Sequence, residues 1–349
     1  MVATDLSPRV VVIGGGSGSS ATLSGLKAHR VDLTAIVTAF DSGGSSGILR
    51  REFGFPPLGD LRQCLVALSE DGRGTDSLRW ASEFRFDAES SLNGHSLGNL
   101  LLAALTAFRN DVEGAIEEMS RMLKIRGQVI PVSLGHADLC AELDDGTVLR
   151  EESKIDLRGA DNPRIKRIFL SPVVPANPRA IAAIESADAI VMGPGDLYTS
   201  ILPNLLVSGI PEAIRASSAT KIYVCNLMTK RGETGGFRAS DFLGEVTSYL
   251  GVNSLDWALM NNRPVPDEPR RRYFTEGAEP VEIDPSRVRK FTRHHMAVAL
   301  TDRESVKMRH DPERLAEALL SVMRCATSDQ EVPGFSPWSA GPVVRGIAD

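Results

Sequence analysis

No Cys-x-x-Cys pair occurs in this chain: its four cysteines, Cys64, Cys140, Cys225 and Cys325, stand far apart among 349 residues. That removes the usual zinc and dithiol redox patterns and leaves the cysteines as buried, reduced thiols. Nor is there a surplus of positive charge. Lys and Arg number 39 against 45 Asp and Glu, for a formal net charge of -6, and the basic residues are dispersed, so the electrostatic footprint of a nucleic-acid binder is missing. No apolar run approaches the roughly 20 residues of a membrane span, and Met1 to Pro8 has neither the basic nor the apolar region of a secretory leader. The expectation is a cytoplasmic protein that partners neither nucleic acid nor membrane. Two catalytic signatures are absent as well. No glycine-rich stretch ends in Gly-Lys-Ser or Gly-Lys-Thr, which argues against a Walker-type kinase or ATPase. None of Tyr198, Tyr223, Tyr249 and Tyr273 is followed by a lysine four residues on, so no Tyr-x-x-x-Lys dyad supports a dehydrogenase.

What is present suffices for a packed enzyme-sized fold: 42% of residues are apolar and 24% charged. Arg9 to Ile13 is a short apolar run ending in glycines; helical spacing follows from Ala21 to Ala28, then a second apolar run from Leu33 to Ala39. This is strand, turn, helix, strand. Further strand candidates are 167–170, 189–192, 221–225 and 257–260, with helix-like stretches between several of them, and the alternation predicts a Rossmann-like, doubly wound, mostly parallel α/β sheet. Residues 128–155 depart from it. Val129 to Val132, Leu139 to Leu143 and Thr147 to Leu149 around Asp144-Asp145-Gly146 predict an inserted β-hairpin region. The expected organisation is an N-terminal extension over 1–8, a single α/β domain over 9–327 that includes this elaboration, and an irregular tail over 328–349, rich in Pro, Gly and Ser.

The candidate chemistry lies in loops at strand ends. Gly14-Gly15-Gly16-Ser17-Gly18-Ser19-Ser20-Ala21 sits where strand gives way to helix, and Gly16-x-Gly18-x-x-Ala21 has the form in which glycines let backbone approach a pyrophosphate and unpaired helix N–H groups meet its charge. A tightly packed glycine turn would read the same. The second strand runs into Asp41-Ser42-Gly43-Gly44-Ser45-Ser46-Gly47, where Asp41 suits a ribose, a magnesium ion or a base, and Ser45 and Ser46 suit an anion. Gly43-x-Ser45-x-Gly47 also has the letters of a nucleophile elbow, but nothing in the sequence brings a histidine to Ser45. In Gly59-Asp60-Leu61-Arg62, Asp60 is a helix cap or a metal contact and Arg62 a phosphate contact. His95 in Gly94-His95-Ser96-Leu97-Gly98-Asn99 is a candidate general acid or a structural histidine. Gly193-Pro194-Gly195-Asp196-Leu197-Tyr198-Thr199-Ser200 and Asn226-Leu227-Met228-Thr229 follow two further strands, with glycines for close approach and hydroxyls and an amide as donors.

Together and in this order, these stretches resemble the family that joins YvcK-like gluconeogenesis factors, which bind UDP-N-acetylglucosamine, with the 2-phospho-L-lactate transferases (CofD-like). The resemblance runs from Arg9 to about Arg324, takes in His310-Asp311-Pro312, and is to the YvcK-like branch in particular. It implies a site across the strand ends for a nucleotide-linked diphosphate, and a homo-oligomer. The ligand contacts it suggests are Gly15, Gly16, Ser17, Gly18, Ser45, Ser46, Arg62, Asn99, Gly193, Gly195, Thr199, Ser200 and Asn226. Asp41 and His95 become the catalytic candidates, and Asp41, Asp60 and Asp196 the candidates for Mg²⁺. Three departures stand out: Asp41-Ser42 where the branch carries two acids, Asp196 where it carries Ser, and Glu233-Thr234-Gly235-Gly236 where it carries Glu-Thr-Asp-Gly.

Two functions fit. One is a regulatory protein that binds a nucleotide sugar and acts on carbon metabolism or on cell-wall synthesis and cell shape. The other is a transferase that moves a phosphoester group from a nucleoside-diphosphate-linked donor to an acceptor hydroxyl, which needs chiefly orientation, a clamp on the diphosphate and a base.

Overall fold

The computed structural model describes residues 7–72, 75–87, 89–159, 162–301 and 308–327. The tail over 328–349 and most of the N-terminal extension lie outside them. Ten strands are described: β1 (Arg9–Gly14), β2 (Asp32–Val37), β3 (Gln128–Pro131), β4 (Asp138–Leu143), β5 (Val148–Arg150), β6 (Ile165–Ser171), β7 (Ala189–Met192), β8 (Thr220–Val224), β9 (Leu255–Asn261) and β10 (Thr292–Val298). Seven form one sheet in the order β10-β9-β8-β7-β1-β2-β3, every neighbouring pair parallel. Parallel strands need crossovers, and these are mostly helical. The first five helices are α1 (Gly16–Leu26), α2 (Gly44–Phe53), α3 (Gly59–Leu68), α4 (Asp76–Glu83) and α5 (Leu97–Arg109); a long last helix, Pro312–Thr327, packs back on α1.

The apolar runs explain the layering. Val11 and Ile13 of β1 join one core, with Tyr223, Phe242 and Met260; Val10 and Val12 join the other, with Leu23, Leu61 and Leu319. Side chains of a strand alternate faces, so a run apolar at every position demands cover on both sides. From β1 the chain winds outward through β2 to β3. From β7 it winds the other way, through β8 and β9 to β10. The order therefore reverses between β1 and β7, and the crevice at such a reversal is where ligands of doubly wound sheets bind. Among the described residues no helix is long and apolar enough to cross a membrane.

The hairpin region proves to be two things. Val129 to Val132 does not belong to it: β3 pairs in parallel with β2, from Thr34 opposite Gln128 to Val37 opposite Pro131. β4 and β5 do form an antiparallel hairpin, and β6 pairs antiparallel on the other side of β4 to complete a three-stranded sheet. Residues 167–170 are thus strand but not part of the parallel sheet. The sign was in the sequence: β6 carries exposed Lys166 and Arg167, which reach Glu142 of β4, as a half-solvated antiparallel strand can. β10 escaped the sequence reading because it is an edge strand carrying Arg293, His294 and His295. α1 begins five residues earlier than helical spacing predicts, since Gly16 to Ser20 are helical without apolar periodicity.

Gly25 shows how closely α1 meets the last helix: a Cβ there would overlap the Pro312 carbonyl oxygen. Gly25→Ala is expected to destabilise the protein by about 1–3 kcal/mol through forced separation of the two helices. Urea unfolding of mutant and wild type reads this directly, and an unchanged midpoint would mean the helices separate at no cost.

Candidate functional site

The turn after β1 and the turn after β7 meet at the reversal of strand order. A Cβ on Gly18 would collide with the Pro194 carbonyl and stand 3.0 Å from Gly195 N, and one on Gly15 would collide with the Asp60 carboxylate. These two glycines therefore serve packing as well as any ligand. Gly16, by contrast, has φ +63° and only Asp60 near its Cβ direction. Helix α1 starts there with Gly15 as its N-cap and no capping side chain, which leaves backbone N–H groups of its first turn for an anion.

A cleft of about 540 Å³ opens over this junction. Gly15, Gly16, Ser17, Gly18, Gly195, Ser200 and Asn226 line it as the sequence suggested. Asn226 donates through Nδ2 to the Gly195 carbonyl at 2.8 Å, while its Oδ1 is buried without a partner. Gly193 lies at the root of the β7 turn, and Thr199 is buried in a single π-helical turn, Leu197–Ile201; neither lines the cleft. Sequence reasoning missed the opposite wall: Lys230, Arg231, Tyr273 and Arg309, with Asp156 and Arg158 from the segment after the hairpin. Lys230 follows directly on the quoted Asn226 to Thr229 stretch and could have been found. Tyr273 comes from a distant helix, Asp267–Thr275, that carries no local signal. His310, named within His310-Asp311-Pro312, also lines the cleft; burial pushes its imidazole down to about 4, and Nε2 has no partner.

The remaining candidates form a separate buried chain beside the cleft. Arg62 Nε donates to Asn99 Oδ1 at 2.9 Å, Asn99 Nδ2 donates to Ser45 Oγ at 3.2 Å, and Ser45 Oγ lies 2.9 Å from His95 Nδ1. His95 does reach Ser45, which the sequence could not reveal. Asn99 and His95 together occupy the Ser45 oxygen, so the contact reads as a fixed network. Arg62 is spent on Asn99 and on the Ser82 carbonyl at 3.3 Å, inside the fold and not toward a phosphate. Ser46 Oγ accepts from Gly59 N at 3.1 Å, tying α2 to the start of α3.

Asp60 is not the cap of α3. Leu58 holds that position and Asp60 lies in the first turn, its carboxylate accepting the Gly16 N–H. Burial, then the like charge of Asp41, pushes it up to about 7. Glu152, from the short helix Glu152–Asp156, is pushed up to about 8 by burial and by Asp41, and accepts from Ser42 N at 3.2 Å. Asp196 does not cap a helix with its side chain either. It is matched by Lys230, 2.8 Å away, which also bridges to Asp156 and, at 2.9 Å, to Glu233. Burial lowers the Lys230 pKa, but these three carboxylates outweigh it and hold the ammonium well above its usual value. The carboxylate that departs from the family pattern thus has a counter-ion in the chain itself. Among the described residues no three His, Cys, Asp or Glu side chains gather as metal ligands. Asp60 does feel both Asp41 and Asp196, which fits a magnesium ion held by one or two carboxylates with phosphate oxygens and waters completing its shell.

A doubly wound sheet with a glycine-rich turn at its reversal and a polar cleft over it define an α/β protein of the Rossmann-like type. The comparisons narrow this. The family 2-phospho-L-lactate transferase CofD matches residues 10–302, and the chain belongs to it. It is 44% identical over 312 residues to the gluconeogenesis factor of Halalkalibacterium halodurans, spanning 89% of this chain and 95% of that one. It is 41% identical to the gluconeogenesis factor of Bacillus subtilis, spanning 91% and 98%. A crystal structure of a Bacillus halodurans protein superposes with a TM-score of 0.86 at 43% identity, covering 90% of this chain and 99% of that one.

The elevated carboxyl of Asp60 has a consequence for stability. Its folded pKa lies above the unfolded value, so the folded protein holds the extra proton between about pH 4 and 7 and loses that advantage as pH rises through the window. Asp60→Asn keeps an acceptor for Gly16 N–H and removes the charge; it should stabilise on the order of 2 kcal/mol at pH 8 and little at pH 4.5. Melting curves of both proteins at the two pH values test it, and a gap independent of pH would place the titration elsewhere.

Proposed function

We propose that the cleft binds a nucleotide-linked diphosphate of the UDP-N-acetylglucosamine type and that the protein acts as a regulator of carbon metabolism or of cell-wall synthesis and cell shape. The observation that carries this reading is the meeting of the β1 and β7 turns beneath the cleft. The start of α1, with its free backbone N–H groups, lines it together with Arg231 and Arg309, which suits a diphosphate. Tyr273 and Met228 offer apolar surface for a base or sugar. The unpartnered Asn226 Oδ1 is an acceptor suited to a ligand N–H or O–H. Asp41 and Asp60 would be the residues to hold a magnesium ion, which would supply positive charge to the phosphates. The names of the relatives support the regulatory part.

One observation favours a transferase as the second reading. Asp60, half-protonated near neutral pH and bonded to the phosphate turn, is poised as a general base. An acceptor hydroxyl would form a new P–O bond at the phosphorus next to its donor's acyl or sugar arm, the bond to the nucleoside monophosphate would break, and the hydroxyl proton would pass to the carboxylate.

Calorimetry with UDP-N-acetylglucosamine, GDP, ADP and NAD, each in EDTA and in magnesium, tests the first reading. UDP-N-acetylglucosamine should bind most tightly, and Asn226→Ala should weaken it about tenfold, or about 1.4 kcal/mol. Loss of preference among the four would remove the proposed ligand. Phosphorus NMR of the same mixtures with added hydroxy acids would show nucleoside monophosphate only if the protein turns over.

A further inference from the structure

Behind the cleft lies a second hollow of about 600 Å³. Arg158 and Arg231 line both spaces, so their side chains stand at the partition between them. The partition is chemically unfinished. Arg158 is buried, 8% exposed; its Nη2 donates to the Pro163 carbonyl, but Nε and Nη1 have no acceptor. Glu233, whose charge Arg158 feels, is also buried; its Oε1 meets Lys230 Nζ at 2.9 Å, while its Oε2 has no partner. A guanidinium keeps its protons in a protein, so these N–H groups are permanent donors, and buried donors without acceptors are rare in finished structures.

The other walls say what kind of acceptor fits. Phe237 and Phe291 give the hollow an apolar side, and a Cβ on Gly235 would meet no atom within 4 Å. Asp144, Asp241 and Glu245 line it together with Glu233. With Arg158, Arg164 and Arg231 set against these four carboxylates, the lining disfavours a dianion, while a single carboxylate on a short apolar stem satisfies Arg158 and rests on the aromatic rings. We infer that this hollow binds the carboxylate of a small organic acid, whose oxygens accept from the free N–H groups of Arg158. The carboxylate belongs either to a separate small acid or to a pendant arm of the nucleotide-linked ligand next door. Only the second source rests on the function proposed above.

Ligand-observed NMR with propionate, and with inorganic phosphate as the dianionic control, tests the first source. Calorimetry comparing UDP-N-acetylmuramic acid, which carries a carboxylate on its sugar, with UDP-N-acetylglucosamine tests the second. Wild type should bind propionate saturably and better than phosphate, or should prefer the carboxylate-bearing sugar at least tenfold. Arg158→Gln should abolish whichever effect is seen. So should Gly235→Phe, which fills the hollow from a position with free space and guards against misfolding of the arginine variant. If propionate fails to saturate and the two sugars bind alike, or if both variants keep wild-type values, the inference is overturned. Should neither nucleotide bind at all, the propionate titration still decides it.

Discussion

The carboxyl edge of this sheet depends on how closely the chain leaving β1 approaches the chain leaving β7. Gly18 against the Pro194 carbonyl, and Gly15 against Asp60, bring three segments to van der Waals distance where any side chain would hold them apart. That contact sets the floor of the cleft, aims the start of α1 into it, and fixes Asp60 under the Gly16 amide. It is also why the glycine run is longer than a phosphate turn needs. Part of it lines the cleft and part serves the junction between the two halves of the sheet, which diverge from this line in opposite directions.

Charge is the second organising constraint, and it is arranged around burial. Asp60, Glu152 and Glu233 are each pushed up toward or past neutrality because little water reaches them and other carboxylates stand near. A fold that gathers acids this way needs a cation or a proton among them. Lys230 supplies the cation on one side, joining the β7 turn, the β8 loop and the segment after the hairpin through Asp196, Glu233 and Asp156. On the other side Asp60 feels the like charge of Asp41 and the weaker opposite charge of Arg62, and a proton on Asp60 relieves the repulsion. Local charge balance therefore ties this region to pH.

The fold was legible where physics is local. Continuous apolar runs bounded by glycines mark β1, β2, β7 and β8 because a strand covered on both faces has no room for polar residues. The cleft-lining turns were legible for the same reason, since Gly16, Ser17, Gly195 and Asn226 follow strands directly and a parallel sheet sends all such turns to one edge. β3 was misassigned because four apolar residues look alike whether their partner is parallel or antiparallel. β10 was harder, its exposed charges masking the strand, and β6 was recognised as a strand but not as antiparallel. Arg62 and His95 carried the right chemistry to be site residues, but which neighbour would claim them is decided by packing that no spacing encodes.

By itself, then, the sequence determined the class of fold, the family and the location of the glycine-rich turn that lines the cleft, because each rests on residues adjacent along the chain. Tertiary structure alone decided that Lys230 would meet Asp196, that Tyr273 and Arg309 would close the cleft, that Arg62 would turn inward to Asn99, and that Arg158 would be left between two cavities with donors to spare. Those pairings join segments many tens of residues apart. Their partners are selected by the order in which strands lie side by side, and that order is a property of the assembled sheet.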